Sequence, residues 1–557
     1  MAEFKSGPIS LSFGGEARDA DADRAQLRAI HETLRSGDIA AAAGMAEAAL
    51  AQGLEHPMLF NLAADRLERE DRLEEAHGLL QRGHELAPQD VGLRQALGLC
   101  LHRLERYAAA LPHFDAVISA QPAFGPAHAA RGATLEAIGD VTGAEAAYSR
   151  ALELHPDNLA AISGLASLAS RRGRHAEARA LAGRVLEAQP GYPDAVMAVA
   201  QADLAQGDAA RGEAALRALI ADPRATSVQH ALAEGLLGDI FDAQGRPVEA
   251  FAAYTACNQA LRAAYAPRFG MGQGALAYAR ETLALLDRMP AGAWSSGPQA
   301  RAGGVRGQVF LMGFPRSGTT LLEQVLASHP DVEALEERDT LADAMQAYGR
   351  QPQNLAELAA APQAEITRLR AAYWQRVGRE GARPAGKLFV DKHPLNAFRL
   401  PLIAKLFPDA KVLFARRDPR DVVLSCFRRR FAMSRPMYQL LTLQGAAELY
   451  DAGMQFGERL GGELALETLV VRHESLVEDF DAVAREVCGF LDLPWTEALR
   501  GFAARTQDRG IATPSGAQLA SGLSAEGVGA WRRYAGQLAP VLPTLQPWVE
   551  RFGYSAD

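Results

Sequence analysis

The fold of the C-terminal half is decided by the stretch Val309-Phe310-Leu311-Met312-Gly313-Phe314-Pro315-Arg316-Ser317-Gly318-Thr319-Thr320-Leu321-Leu322. Its first four residues form a short apolar run, which is typical of a buried parallel strand. Apolar residues recur at helical spacing after Gly318, so the predicted order is strand, glycine-bracketed loop and helix. Such a loop directs backbone N–H groups and the positive end of a helix dipole at one point. The stretch therefore predicts a phosphate-binding site in an α/β domain.

One position separates this loop from a nucleoside triphosphate loop. Gly313 and Gly318 have the spacing of a Walker A loop, but Thr319 stands where that loop carries a lysine. A triphosphate needs the lysine at its β- and γ-phosphates, whereas a donor cleaved beyond a single 5′-phosphate needs hydroxyls and amides. Thr319 therefore opposes a P-loop kinase, which stays open as an alternative that magnesium dependence with ATP would support.

The N-terminal half has a different pattern, rich in alanine and leucine and broken by proline at a fixed interval. Pro88, Pro122, Pro156 and Pro190 follow one another at steps of 34 residues. A period of this length, with small residues inside each unit, resembles the tetratricopeptide repeat. It predicts about five or six helical hairpins stacked into a superhelix, the first of them degenerate. The concave face of such an array holds a peptide or partner protein, and scaffolding or dimerisation of the C-terminal domain is the alternative.

These patterns divide the chain into four segments. Residues 1–20 are expected to form a flexible N-terminus, and residues 21–265 an all-α repeat superhelix. Residues 266–307 combine a helix over Ala275–Arg288 with a glycine-rich linker. Residues 308–557 are predicted to form an α/β, P-loop-like domain with a mainly parallel sheet. The expected fold class is therefore multidomain, with a repeat superhelix followed by an α/β domain.

Composition excludes several classes of protein. The formal net charge of −9 gives no general attraction to nucleic acid. The four cysteines are far apart and include no CxxC pair, which fits neither a disulfide framework nor a zinc site. No apolar run has the ~18 residues that a membrane span requires, and the N-terminus lacks the apolar segment of a secretory signal. The expected location is therefore the cytoplasm.

The loop from Gly313 to Thr320 resembles the 5′-phosphosulfate loop of sulfotransferases that use 3′-phosphoadenosine 5′-phosphosulfate (PAPS). The chain is most similar in its layout to bacterial sulfotransferases with tetratricopeptide repeats and, more distantly, to tyrosylprotein sulfotransferases. The resemblance covers most of residues 309–552, and it implies PAPS as co-substrate without a metal. It also implies that the donor is bound by six loop residues. These are Pro315, Arg316, Ser317, Gly318, Thr319 and Thr320.

The same resemblance implies a second phosphate site after the strand pattern Lys411–Ala415. In the family, an arginine at the strand end and a serine eight residues later bind the 3′-phosphate, and Arg417 and Ser425 have that spacing. Guanidinium binds phosphate bidentately, which suits this role. Arg429 matches a further basic contact and His473 a residue near the adenine. The run Arg428–Arg430 on its own would more often mark a solvated helix face.

The catalytic groups are also implied by the resemblance. Glu337 matches the base, and Glu336 stays open because adjacent strand residues point in opposite directions and one gap would exchange them. Lys392 matches the lysine at the bridging oxygen, assisted by Arg316 and Ser515 as stabilisers of the moving charge. Gln518 matches a donor-binding residue. After Gln518 the chain departs from the family pattern, with Arg532 and Arg533 as candidates to replace the missing basic residues.

The expected function is PAPS-dependent transfer of a sulfonate group to an acceptor hydroxyl, on a peptide or protein held by the repeat array. A repeat-protein adaptor with an inactive nucleotide-binding domain is a second alternative beside the kinase. Glutamate and lysine at positions 337 and 392, with the intact loop, oppose it. A glycan, lipid or small-molecule acceptor stays open, as does a homodimer.

Overall fold

The computed structural model of the protein describes residues 20–70, 72–290, 292–294, 304–509, 522–525 and 527–555. The chain forms two compact units, Met1–Leu165 and Ala166–Asp557. The division lies inside the predicted repeat region and not at residue 265, because the later helical hairpins pack against the α/β domain. Apart from Ala20, the expected flexible segment lies outside the described residues.

Fourteen helices lie between residues 20 and 269 of the described chain, and they follow one another as seven pairs. The sequence predicted about five or six hairpins, so it undercounted the helical pairs. The helices are α1 (Ala20–Arg35), α2 (Ile39–Ala51), α3 (Pro57–Arg69), α4 (Leu73–Leu86), α5 (Val91–Arg103), α6 (Tyr107–Ala120), α7 (Gly125–Ala137), α8 (Val141–Leu154), α9 (Leu159–Arg171), α10 (His175–Ala188), α11 (Pro193–Ala205), α12 (Ala209–Ile220), α13 (Ser227–Ala243) and α14 (Pro247–Phe269).

Small residues let the paired helices approach closely. A Cβ atom at Gly132 would lie 2.7 Å from the ring of Tyr148, and one at Gly98 would lie 2.7 Å from the ring of Phe114. Each aromatic ring therefore fills the space that the glycine of the preceding helix leaves. At the turn between two helices, Gly139 has φ 84°, a left-handed conformation that glycine adopts without strain. The same contact between a glycine and an aromatic ring thus recurs after 34 residues, in agreement with the period of the sequence.

In its described residues, the α/β domain has five parallel strands in the order β2-β3-β1-β4-β5. The helix α15 (Ala275–Leu286) precedes them and ends two residues before the predicted Arg288. The strands are β1 (Gly307–Gly313), β2 (Val332–Glu336), β3 (Leu388–Lys392), β4 (Lys411–Arg416) and β5 (Thr468–Arg472). The α-helices are α16 (Thr319–Ala327), α17 (Ala342–Tyr348), α18 (Asn354–Ala359), α19 (Gln363–Arg379), α20 (Leu400–Leu406), α21 (Pro419–Arg428), α22 (Arg435–Gln439), α23 (Leu443–Glu458), α24 (His473–Glu478), α25 (Phe480–Phe490), α26 (Phe502–Arg509), α27 (Ala535–Leu538) and α28 (Leu542–Arg551). Short 3-10 segments cover Pro394–Arg399, Glu497–Gly501, Ala530–Tyr534 and Ala539–Val541.

Both faces of the sheet are buried. Along β1, Val309 and Leu311 belong to one apolar cluster, while Phe310 and Met312 belong to another. Successive side chains of a strand point to opposite faces, so each face has its own core. The continuous apolar run that predicted a buried parallel strand is explained by this burial, and the predicted fold class is confirmed.

The loops after the strands meet at one edge of the sheet. All paired strands run parallel, so their carboxyl ends share that edge. Glu336 is in register with Lys392, and Arg416 with Arg472. Ligands of open α/β sheets bind outside the carboxyl ends of the strands. Within the described chain, no helix combines the length and apolar composition that a membrane crossing requires.

Candidate active site

The loop between β1 and α16 has the backbone shape of an anion-binding turn. The Ser317 N–H donates to the carbonyl of Phe314 at 3.1 Å, and Arg316 takes a left-handed φ of 71°. Gly318 caps α16 with φ 96°, and a Cβ there would lie 2.6 Å from Nδ1 of His473. Only glycine fits both the conformation and the contact. The N-terminus of α16, with the buried hydroxyls of Thr319 and Thr320, thus lies beside this turn.

His473 packs against the loop at Gly318. It is the first residue of α24, directly after β5, and packs on Gly318. Burial, with the cations of Arg417 and Arg316, lowers the pKa of His473 to about 3. The imidazole is therefore neutral at physiological pH. Its Nδ1 has no hydrogen-bond partner among the described residues, which leaves a buried polar atom facing the loop.

The loop is joined to the second predicted phosphate site by its arginine. Nε of Arg316 donates to the hydroxyl of Ser425 on α21 at 3.0 Å. Arg417, which follows β4, donates to the carbonyl of Arg316 at 3.4 Å and also to that of Gly527. Burial and then the neighbouring cations Arg429 and Arg417 lower the pKa of Arg316 to about 9. Three arginines therefore lie close together with limited access to water, and the nearest carboxylate to Arg417 is Asp421, 3.9 Å away.

The run of three arginines after Ser425 is not a solvated helix face, contrary to the reading preferred for the run on its own. Arg428 pairs with Asp242 of α13, and Nη2 of Arg430 pairs with Oδ2 of Asp239 at 2.6 Å. Arg429 lies between them, is partly buried, and forms no ion pair with the described residues. Arg428 and Arg430 thus bind aspartates of α13, whereas Arg429 does not.

A second cluster surrounds the ammonium group of Lys392 at the end of β3. Nζ of Lys392 lies 2.7 Å from Oε1 of Glu337 and 3.2 Å from Oε1 of Glu336, and the lysine side chain is fully buried. Burial acts to lower the pKa of Lys392, but the carboxylates of Glu336, Glu337 and Glu323 outweigh it and raise that pKa above its ordinary value. The ammonium is therefore charged at neutral pH.

Both glutamates reach the same lysine, so the expectation that they point in opposite directions is wrong. The period of two applies within β2, which ends at Glu336. Glu337 has a left-handed φ of 47°, and its N–H donates to the carbonyl of Lys392 at 2.7 Å. This turn brings the second carboxylate back to the ammonium. Glu337 is the more exposed of the two, at 39% against 23% for Glu336.

Sequence reasoning missed a third carboxyl group of this cluster. Glu323 lies on α16, one turn after Thr319, and is buried. Its Oε2 accepts from Nε2 of Gln324 at 2.8 Å. Burial, followed by the charge of Glu336, raises the pKa of Glu323 to about 7. The only local signal was an acid within a helix of otherwise apolar spacing.

Asp391 secures the end of β3 from the opposite face. Its Oδ2 accepts from Oγ1 of Thr340 at 2.7 Å and from the hydroxyl of Tyr373 at 2.7 Å. Burial raises the pKa of Asp391 to about 6. Because neighbouring strand residues face opposite ways, the anchoring of Asp391 fixes the direction in which Lys392 points.

Two predicted site residues, Ser515 and Gln518, lie outside the described residues. The described chain resumes near the donor side of the site, where Asp421 of α21 accepts from the N–H groups of Gly529 and Trp531 at 2.7 and 2.8 Å. Arg533, a candidate to replace the missing basic residues, is paired with Asp242 at 3.0 Å.

Two parts of the chain match known protein families. Residues 308–497 match the sulfotransferase family, and residues 135–190 match a tetratricopeptide repeat. The chain carries a sulfotransferase-family domain together with tetratricopeptide repeats. The sulfotransferase match runs from the second residue of β1 to beyond β5, so the loop and both charged clusters lie within it.

Curated relatives match parts of the chain. An uncharacterized protein of Aquifex aeolicus (strain VF5) is 29% identical over 248 residues, which are 43% of this chain and 32% of that protein. A protein-tyrosine sulfotransferase of Drosophila melanogaster is 26% identical over 197 residues, 34% of this chain and 39% of that protein. The chain thus spans less than half the length of either relative. A crystal structure of a tetratricopeptide repeat protein from Parabacteroides merdae ATCC 43184 aligns with TM-score 0.35 at 17% identity, covering 43% of this chain and 93% of that one.

Proposed function

We propose that the chain is a sulfotransferase that takes its sulfonate group from PAPS and transfers it to an acceptor hydroxyl. The observation that carries this proposal is the group of cations formed by Arg316, Arg417 and Arg429 beside the loop, of which Arg417 is buried and the other two are partly buried. Gathering like charges out of water is unfavourable unless an anion compensates them. A nucleotide with phosphates at its 3′ and 5′ positions supplies anions at two places.

The residues fit PAPS. The turn around Gly318 and the hydroxyls of Thr319 and Thr320 suit the 5′-phosphosulfate, since they offer N–H and O–H donors at a helix N-terminus. Arg417, Ser425 and Arg429 suit the 3′-phosphate, which distinguishes PAPS from ordinary adenine nucleotides. The neutral His473 ring is available to pack against the base. The buried, unpartnered Nε of Arg417 and Nδ1 of His473 are polar atoms that such a ligand would satisfy.

The charge pattern around Lys392 supports in-line transfer. As the acceptor oxygen forms its bond to sulfur, the bond between sulfur and the 5′-phosphate oxygen breaks and 3′,5′-diphosphoadenosine (PAP) leaves. The acceptor proton passes to a carboxylate, and the Lys392 ammonium offsets negative charge at the transferring group. We assign the proton to Glu337, because it is the more exposed of the two carboxylates and an incoming acceptor reaches it first.

For the acceptor, we propose a hydroxyl on a peptide or protein. Stacked helical hairpins present a surface suited to extended chains. The name of the Drosophila relative specifies tyrosine in a protein as its acceptor, and the same class is the first to test here. The resemblance in the sulfotransferase domain supports the chemistry, while the repeats support the class of acceptor.

The test is transfer of labelled sulfonate from PAPS to a panel of tyrosine peptides, proteins, glycans and small phenols. Glu337→Gln is expected to abolish turnover while the dissociation constant for PAP stays within about twofold, because the base contacts the acceptor and not the nucleotide. Glu333→Gln, on the same strand β2, is the matched control and should retain turnover.

Three outcomes would contradict parts of the proposal. Phosphate transfer from ATP with magnesium, in place of sulfonate transfer, would establish the kinase alternative. PAP binding without transfer to any acceptor would favour the adaptor. If Glu337→Gln kept full turnover and Glu336→Gln lost it, Glu336 would be the base in place of Glu337.

A further inference from the structure

The last helical hairpin of the repeat region, α13 and α14, docks on the end of the donor-site helix α21. Nδ2 of Asn258 on α14 donates to the backbone carbonyl of Phe427 at 2.8 Å, where both groups are buried. The ring of Phe251 stacks on that of Phe427 at 5.2 Å between centroids. A hydrogen bond and an aromatic stack thus hold the α21 end against the hairpin.

Two aspartates of α13 form the charged part of this contact. Asp242 accepts from the hydroxyl of Tyr534 at 2.6 Å and pairs with Arg428. Asp239 accepts from Tyr254 at 3.0 Å and pairs with Arg430 at 2.6 Å. Each carboxylate is thereby held by a tyrosine of its surroundings as well as by an arginine. Side chains so fixed have little freedom to follow a displaced partner.

Close packing makes the position of Arg430 specific. Nη1 of Arg430 donates to the carbonyl of Gly235 at 2.9 Å. A Cβ at Gly235 would lie 2.5 Å from Cδ of Arg430, so the arginine stem runs directly over the glycine of α13. Asp239 and Gly235, one turn apart on α13, together form a seat for this side chain.

The pairing selects alternate members of the arginine run. α21 ends at Arg428, and Arg429 has extended dihedrals, φ −94° and ψ 138°. The N–H of Arg429 donates to the carbonyl of Cys426, so Arg429 lies one helical turn after Ser425, the residue that Arg316 contacts. Arg428 and Arg430 are held by α13, which leaves Arg429 as the member of the run nearest that contact. The hairpin therefore determines which arginine faces the donor site.

We propose that Asp239 and Asp242 are positioning residues of the donor site, through which the last repeat hairpin orients Arg429 toward the 3′-phosphate of the donor. This inference rests on the proposed function, because it takes PAPS as the ligand. It assigns the hairpin a part in nucleotide binding, in addition to any role of the repeats toward an acceptor.

The sign of the change in affinity tests this role. If the aspartates acted only as nearby negative charges, neutralising them would strengthen binding of the anionic nucleotide. If they position Arg429, neutralising them weakens it. We expect Asp239→Asn and Asp242→Asn each to raise the dissociation constant for PAP about 3- to 30-fold, measured by titration calorimetry. The KM for PAPS should rise with it, while kcat at saturating PAPS stays within about twofold.

Two further variants keep the test decisive. Tyr534→Phe removes the hydrogen bond to Asp242 without changing any charge, and should weaken PAP binding in the same direction by a smaller factor. If a thermal melt shows that an aspartate variant does not fold, Tyr534→Phe still tests the positioning role. Glu249→Gln, an exposed carboxylate on the same hairpin paired with Arg246, is the matched control and should leave the dissociation constant unchanged.

The possible outcomes distinguish a failure of the positioning role from a failure of the proposed sulfotransferase function. If the wild-type protein does not bind PAP, the proposed function fails. If the wild type binds PAP and all three variants bind it equally or more tightly, only the positioning role is overturned.

Discussion

Lys392→Met tests whether the buried ammonium serves catalysis or only holds the end of β3 in place. Methionine conserves the length and apolar stem of lysine, so little cavity results. The change removes a charge that lies 2.7 Å from Glu337 and 3.2 Å from Glu336. It therefore leaves two or three carboxyl groups close together without compensation.

The cost to stability follows from the burial of each partner. Removing one partner of a buried ion pair costs about 3–5 kcal/mol. Glu337 is more than a third exposed and can be rehydrated, so we expect a loss near the lower end, about 3 kcal/mol. Loss of one group that stabilises transition-state charge costs about 10²- to 10³-fold in kcat. The two effects have different origins and can be separated.

The assay combines urea denaturation with turnover of PAPS. Lys392→Met with Glu336→Gln removes one of the repelling carboxylates, so it should recover part of the lost stability but none of the lost kcat. Lys405→Met is the control, because Lys405 is a buried lysine whose ammonium donates to two backbone carbonyls, at 2.6 and 3.2 Å. It should destabilise the fold without lowering kcat. If Lys392→Met retained kcat within about threefold, or if stability and turnover recovered together, the catalytic assignment would be refuted.

Two further predictions concern the loop and the helix that follows it. Because the pKa of Glu323 is raised to about 7 from 4.5, the folded state binds an extra proton between those values, and wild-type stability falls as pH rises through them. Glu323→Gln should therefore gain stability relative to wild type between about pH 5 and pH 8 in urea titrations, and a constant difference would contradict the raised pKa. Gly318→Ala should cost roughly 1–3 kcal/mol and weaken PAP binding, since it strains a left-handed residue and meets His473. Gly536→Ala, with no atom within 4 Å of the added Cβ, is the control; equal effects of the two changes would argue against a specific loop geometry.

The loop and the strands could be predicted because their signals are local. The run Val309–Met312 needs only its own apolarity to indicate a buried strand, and Gly318 needs only its place before a helix. The parallel sheet then brings the strand ends to one edge, as the family resemblance required. The neighbouring sequence was sufficient to predict a residue's place when that place depends only on the strand, loop or helix that contains the residue.

The charged partners could not be predicted, because they come from distant parts of the chain. Arg428 and Asp242 are 186 positions apart, and Arg430 and Asp239 are 191 positions apart. In the sequence, the arginine run is indistinguishable from a solvated face. Burial of Glu323 likewise depends on the packing of α16 against β2 and β3, which no helical period encodes. The partners of the arginines and the burial of Glu323 therefore depend on tertiary contacts.

The strand order explains why one edge can serve both halves of the proposed reaction. β1 and its loop lie at the centre of the sheet, with β3 and β2 on one side and β4 and β5 on the other. The side of β3 and β2 carries Lys392 among an excess of carboxyl groups, which suits removal of a proton. The side of β4 and β5 carries Arg417 and Arg429 in an excess of cations, which suits the nucleotide phosphates. A group transferred from nucleotide to acceptor must lie between these two environments, and the central loop at Gly318 is the place where the sheet joins them.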